Sequence, residues 1–323
     1  MLLVDAVQDQ SLNEAPRSKL RGITELNSED FSEGEANPVA SYGECQVQDS
    51  AYESHWGLRL RPFENVPDPK FYVASAKHEA AMERMLYGIH ARKGIVMLTG
   101  EIGSGKTLLS RAVILKLPRS RYEIGLVSNP AIPGNEFLGE ILFQLGLDPH
   151  GTRVEQLRRM NDQLLANYHR GVDTIVVVDE AQTIEHDRLF EELRLLSNFQ
   201  LNDRFLITLV LLGQPELRDR IARIPQLAQR VAIRHHIECL NRTETKAYIL
   251  ARLAAAGSEL PIFSPSAISS VYHRTGGVCR LINSLCDLCL YFGRVSRSRH
   301  IRPSLVEKVA NEVLHRRDNT AHG

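Results

Sequence analysis

The sequence predicts a parallel α/β domain followed by a smaller all-helical domain, on three observations. Between residues 95 and 239, short β-branched apolar runs alternate with amphipathic helices, the pattern of strands covered on both faces. The first run meets the next helix through Gly100-Glu101-Ile102-Gly103-Ser104-Gly105-Lys106-Thr107, a full match to G-x-x-x-x-G-K-[ST]. After Leu240 the strand pattern stops and only helical periodicity remains.

The first strand is residues 95–99. A helix over 106–117 follows and stops at Pro118, which has no N–H to continue the ladder. Residues 124–127 form the second strand, and helices over 136–145 and 154–169 lead to the third at 174–178. A helix over 188–198 precedes the strand at 206–212, and 233–239 makes the fifth. The helical domain comprises 243–256, 266–274, 280–292 and 303–314, with Asn241 or Thr243 capping its first helix and Gly257 ending it.

Two segments precede the first strand. Residues 1–50 are polar and acidic without sustained periodicity, and read as a disordered tail, as does the C-terminus at 317–323. Next comes an aromatic, proline-rich strap containing Tyr52, His55-Trp56-Gly57-Leu58, Pro62-Phe63, Pro67-Asp68-Pro69 and Phe71-Tyr72. It has too many prolines for a long helix and too many aromatics for a solvated linker, so it is expected to pack against a core. The expected domains are 51–240, strap included, and 241–316. No internal repeat is present.

With 323 residues, 43% apolar and 24% charged, the chain suffices for two ordinary domains, which excludes wholesale disorder. Its formal charge is zero, yet the first 50 residues hold ten acids and three bases, leaving 29 acids and 36 bases in the rest. A body near +7 is well short of the dense basic stripe of a dedicated DNA binder. Apolar runs such as 175–178 and 209–212 are strand length, whereas a bilayer span needs roughly 20 residues. Asp5 interrupts the start before a signal-peptide core can form, so a cytoplasmic protein is expected. Five cysteines do not make a disulfide framework, and Cys286-x-x-Cys289 lies on the apolar side of a helix without a second pair at zinc spacing.

The glycines of the 100–107 segment let the backbone wrap an anion with its N–H groups, and the following helix N-terminus adds positive potential. Gly100, Gly103, Ser104 and Gly105 are thus candidate nucleotide contacts. Lys106 is placed to reach the β and γ phosphates of a bound nucleotide, and Thr107 to offer its hydroxyl to Mg²⁺. The strand at 174–178 ends in Asp179-Glu180. Adjacent acids point to opposite sides, so Asp179 suits the Mg²⁺ and Glu180 suits polarising the attacking water. Gln214 follows the strand at 206–212 and emerges at the same sheet edge as the loop, as a γ-phosphate sensor or as a helix cap. Arg230 precedes the fifth strand, and Arg280 opens a helix after Gly276-Gly277.

Together with the strap and the 100–107 loop, Asp179-Glu180-Ala181-Gln182, Glu192-Leu193-Arg194-Leu195-Leu196-Ser197-Asn198, Gly213-Gln214-Pro215-Glu216-Leu217 and Leu227-Ala228-Gln229-Arg230 resemble the general secretion pathway protein A (ExeA-type) AAA+ ATPases over residues 52–313. The resemblance implies a five-stranded AAA+ core with a helical lid, ATP as nucleotide, and self-assembly into rings or arcs. It further implies that Arg230 reaches a neighbour's nucleotide and that Arg280 is the lid sensor. Where the family has proline before that arginine, this chain has Cys279.

Secretion ATPases of this type continue into a membrane span and a periplasmic peptidoglycan-binding region, so this chain looks like the motor portion alone. The expected function is Mg-ATP hydrolysis that drives or assembles an envelope export, pilus or exopolysaccharide machine. The alternative is a DNA-dependent ATPase that regulates transposition, with Arg294, Arg297, Arg299, His300 and Arg302 as a basic cluster for DNA or lipid phosphate, or simply a solvated loop. An ATP-dependent scaffold with negligible turnover is disfavoured, because Lys106 and Glu180 are both present.

Overall fold

A computed structural model of the protein describes residues 52–66, 73, 75–133 and 136–314. The tail at 1–50, the terminus at 317–323 and the strap residues Pro67-Asp68-Pro69 and Phe71-Tyr72 lie outside the described residues. In chain order the elements are α1 (Glu53–Trp56), α2 (Ala76–His90), β1 (Ile95–Gly100), α3 (Lys106–Lys116), β2 (Tyr122–Val127), α4 (Phe137–Gln144), α5 (Arg153–Arg170) and β3 (Asp173–Val178). A 3-10 turn at Ala181–Thr183 leads to α6 (Asp187–Leu196), β4 (Ile207–Gly213), α7 (Pro215–Ala222), α8 (Pro225–Ala228) and β5 (Val231–Ile237). Four helices finish the chain: α9 (Arg242–Ala255), α10 (Pro265–Thr275), α11 (Cys279–Val295) and α12 (Pro303–Leu314).

The five strands form one sheet in the order β2-β3-β4-β1-β5, with every pairing parallel. Each central strand serves two cores. Ile95, Met97, Val176, Val178, Leu209 and Leu211 face α4, α5 and α6 through Phe137, Leu142, Met160, Leu164 and Phe190. Val96, Leu98, Ile175, Val177, Val210 and Leu212 face α2 and α3 through Met82, Met85, Ile89, Leu109 and Val113. Two-sided burial is why these strands read as unbroken apolar runs.

Local signals fix the helix ends. Thr152 and Glu155 form a capping box on α5, which Gly171 closes in the left-handed region. Asn241, not Thr243, caps α9, again as a capping box with Glu244. Besides small shifts at element ends and the additional short helices α7 and α8, three features depart from the sequence reading. The fifth strand lies two residues earlier than expected, because its register on β1 ends at Gly100↔Ile237 and Glu238-Cys239 have no strand beside them. Helix α2 fills the stretch before β1, capped by the Ser75 side chain. The strap, grouped by sequence with the sheet domain, instead places Tyr52, Leu58 and Phe63 in the core of the helical domain, among Ile249, Leu253, Leu285 and Cys286.

Cys286 and Cys289 both sit in that helical core, and burial pushes the Cys289 thiol up to about 12. No helix among the described residues is long and apolar enough to cross a membrane.

Candidate active site

The phosphate loop begins where β1 ends. A Cβ on Gly100 would lie 2.7 Å from Ser104 Oγ and 2.8 Å from the Ile237 carbonyl oxygen, so the chain turns there only as glycine. Gly103 and Gly105 have φ of +78° and +97°, values that glycine adopts without steric cost. Ser104 Oγ is buried inside the loop with no hydrogen-bond partner. Helix α3 starts at Lys106, so its first N–H groups and positive dipole end face the loop. Lys106 is 6% exposed, and its Nζ donates to the carbonyl oxygens of Gly100 (2.7 Å) and Glu101 (2.9 Å). Burial pulls its ammonium below the usual lysine range, against the opposing pull of Glu180 and Asp179.

Asp179 emerges from β3 directly opposite. Thr107 Oγ1 donates to Asp179 Oδ2 at 2.8 Å, and the Glu180 amide donates to Asp179 Oδ1 at 2.9 Å. Burial lifts the Asp179 carboxyl above its ordinary range. A hydroxyl beside a buried carboxylate suits a hard divalent ion such as Mg²⁺, which needs only one or two protein oxygens when phosphates and water supply the rest. Among the described residues, no cluster of three or more His, Cys, Asp or Glu side chains forms a fuller metal cage. The glycine cradle and this oxygen pair together fit a Mg-nucleotide.

Glu180 has φ +51° and ψ +36°, a left-handed conformation that costs a non-glycine residue about 1–3 kcal/mol. Its carboxylate is held from one side: Gln182 Nε2 donates to Glu180 Oε2 at 2.5 Å, while Gln182 Oε1 accepts from the Gln214 amide at 3.0 Å. Gln182 thereby ties the end of β3 to the end of β4. Gly213 leaves room for it, since a Cβ there would come within 2.9 Å of Gln182 Oε1. Gln214 sits beside the loop because Thr99 pairs with Gly213, and although it occupies the N-cap of α7, its side chain makes no capping bond.

The two arginines occupy opposite ends of the sheet. Arg280, at the second position of α11, donates its backbone N–H to the Gly103 carbonyl at 3.2 Å, and its charge contributes to the low Lys106 value. Cys279 takes the first position of α11, where proline is favoured for its preset φ. Arg230 donates from Nη1 to the Ser197 carbonyl at 3.2 Å. Its neighbour Val231 pairs with Ile95, at the far end of β1. Five strand residues, roughly 16 Å, separate that edge from Gly100, so a single chain does not bring Arg230 to its own phosphate loop.

The sequence reading missed two residues that touch this machinery. Gln182 enters the sequence only as part of a motif, and no periodicity marks its bridge. His78 lies on α2, 26 residues before Ser104 in sequence, 5% exposed, with Nε2 3.0 Å from the Ser104 carbonyl oxygen and Nδ1 2.7 Å from Ser75 Oγ. Burial holds its pKa below the ordinary imidazole value, opposed by the bond to the Ser104 carbonyl. The unfolded chain therefore takes up the proton first as pH falls below about 6.5, and this contribution to stability, full above that value, is lost toward the folded pKa. His78→Gln is expected to show a shallower fall of melting temperature than the parent between about pH 6.5 and 5. Identical slopes would refute this.

Residues 89–221 match the AAA domain family. Over 271 residues the chain is 36% identical to General secretion pathway protein A of Aeromonas hydrophila, covering 83% of this chain and 49% of that protein. It therefore spans about half the length of the curated relative it matches. Among solved structures it resembles the Aeropyrum pernix ORC2 protein in ADPNP-ADP complexes, with TM-score 0.60, 20% identity, and 78% and 71% of the two chains covered. It also resembles Cdc6p from Pyrobaculum aerophilum, with TM-score 0.61, 19% identity, and 78% and 70% covered. At such identities these likenesses concern the fold alone. Phosphate loop and domain match agree: residues 89–221 form an AAA domain with a P-loop nucleotide site, and the chain is similar over most of its length to General secretion pathway protein A.

Proposed function

We propose that this ATPase hydrolyses Mg-ATP and that turnover drives or assembles an envelope secretion, pilus or exopolysaccharide export machine. The observation that carries the reading is the 36% identity to General secretion pathway protein A over 271 residues. In this reading the loop amides from Gly100 to Thr107 hold the phosphates, with Lys106 exchanging its loop carbonyls for phosphate oxygens. Thr107 and Asp179 would hold Mg²⁺, which would supply positive charge to offset that of the phosphates. Glu180 takes the proton of the attacking water, Gln214 contacts the γ-phosphate, and Arg280 carries lid position to the site.

Arg230 acts on a neighbouring copy, which makes the working unit a ring or arc. Arginine fingers contribute roughly 10³–10⁵ in rate, so Arg230→Ala and Lys106→Ala should each be nearly inactive. Mixed in equal amounts they are expected to regain turnover at about a quarter of the interfaces, since random neighbours pair an intact Lys106 with an intact Arg230 that often. No recovery in mixed oligomers, or full activity in a demonstrated monomer, counts against the trans role.

The export reading is tested against the DNA reading by titrating labelled duplex at several salt concentrations, with and without a non-hydrolysable ATP analogue. Binding should be weak, independent of nucleotide and lost near physiological salt, because neutralising several phosphates would give log K a slope of about −0.9 per contact against log salt. Tight, ATP-enhanced binding that persists at about 150 mM salt would overturn it.

A further inference from the structure

The loop joining α11 to α12 holds the densest basic cluster of the chain. Residues 294–302 include four arginines and His300, and no acid. Arg297, Arg299, His300 and Arg302 are exposed, and Arg297, Arg299 and Arg302 form no ion pair among the described residues. The backbone that presents them is fixed: Arg297 has φ +50°, and Ser298 donates its N–H to the Gly293 carbonyl at 2.8 Å.

The N-terminal strap is fastened to this same surface. The Tyr52 hydroxyl donates to Asp287, Trp56 Nε1 donates to the Leu290 carbonyl at 2.9 Å, and His55 Nε2 lies 2.9 Å from the Ser298 carbonyl oxygen, in the middle of the basic loop. The chain that leads into Tyr52 is its electrostatic complement. Residues 25–49 hold seven acids and no lysine or arginine. A segment of that length reaches roughly 25–30 Å even as an unordered coil, ample to turn back from Tyr52 onto the loop. Tethering at Tyr52 makes the encounter intramolecular, with an effective concentration in the millimolar range.

We propose that the acidic segment 25–49 docks in cis on the arginine loop at 297–302 and shields it from other polyanions. The docking leaves catalysis alone. Arg280 and the phosphate loop lie at the opposite end of α11, whose 17 residues span about 25 Å.

The test uses heparin as the polyanion probe, and compares the full chain, the chain lacking residues 1–48, and each of these carrying Arg297→Glu/Arg299→Glu/Arg302→Glu. Exposed ion pairs each contribute a factor of roughly 1.5–5. Removing the segment should therefore tighten heparin binding roughly tenfold at about 50 mM salt, with the gain fading toward 1 M, where the screening length is about 3 Å. Charge reversal should abolish that gain, and basal ATPase and melting temperature should be the same for all four proteins. Equal heparin affinity of the full and shortened chains, or a gain that survives charge reversal, overturns the proposal. A second measurement reads the contact itself: Arg299→Lys supplies an amine for zero-length carbodiimide coupling to carboxylates. In a mixture of isotopically heavy and light chains, cross-links from Lys at that position to residues 25–49 should join segments of one isotopic kind. Heavy–light cross-links at the random frequency, or none, overturn the cis arrangement.

Discussion

Glu180→Gln is expected to bind ATP and retain it, with turnover lower by a factor of about 10²–10⁴, the usual contribution of a positioned general base. Glutamine keeps the shape and can still accept the 2.5 Å hydrogen bond from Gln182, so the loop, Thr107 and Asp179 stay in place and nucleotide affinity is preserved. What is lost is the carboxylate that takes a proton from water. Lys106→Ala acts at the earlier stage. It removes the cation buried inside the loop and should abolish retention altogether. Single-turnover hydrolysis and filter retention of labelled ATP separate the two. Hydrolysis by purified Glu180→Gln at the parent rate shows that the base lies elsewhere.

Neighbouring glycines give the second large effect. Gly276 and Gly277 both have positive φ, +59° and +78°. A Cβ on Gly276 meets nothing within 4 Å, whereas a Cβ on Gly277 would lie 1.8 Å from the Leu240 carbonyl oxygen. Gly276→Ala should therefore cost only conformational strain, about 1 kcal/mol. Gly277→Ala must push the chain off Leu240, breaking the 3.0 Å bond from the Leu240 amide to the Gly277 carbonyl, and should cost at least ~4 kcal/mol. The clash sits where β5 passes into the helical domain, so the damage should appear as loss of helical-domain melting together with ATPase activity. Equal melting curves for the two alanine variants would refute the steric account.

The parts of this fold legible in sequence are those whose signals are local. The phosphate loop is set by glycine spacing, and β1, β3 and β4 by apolar runs buried on both faces. Helix α2 was harder to see because its inner face uses His78, Ala81 and Gly88 beside its methionines, and Gly88 lets the helix approach so closely that a Cβ would sit 2.4 Å from Val96. Strand β5 lies at the sheet edge with alternate residues exposed, so its ends are set by the register of β1 rather than by its own pattern. In the site, Lys106, Thr107, Asp179, Glu180 and Gln214 follow from motif and strand order. The Gln182 bridge and the His78 contact do not, since each depends on a side-chain hydrogen bond between elements that only the tertiary fold brings together.

The strap changes how the helical domain is attached. Because Tyr52, Leu58 and Phe63 belong to the helical core, the polypeptide passes between the two bodies twice, once from the strap into α2 and once from β5 into α9. The helical core is therefore closed by chain from both sides of the sheet in sequence, and Arg280, near the start of α11, ties that core to the phosphate loop through its backbone bond to the Gly103 carbonyl.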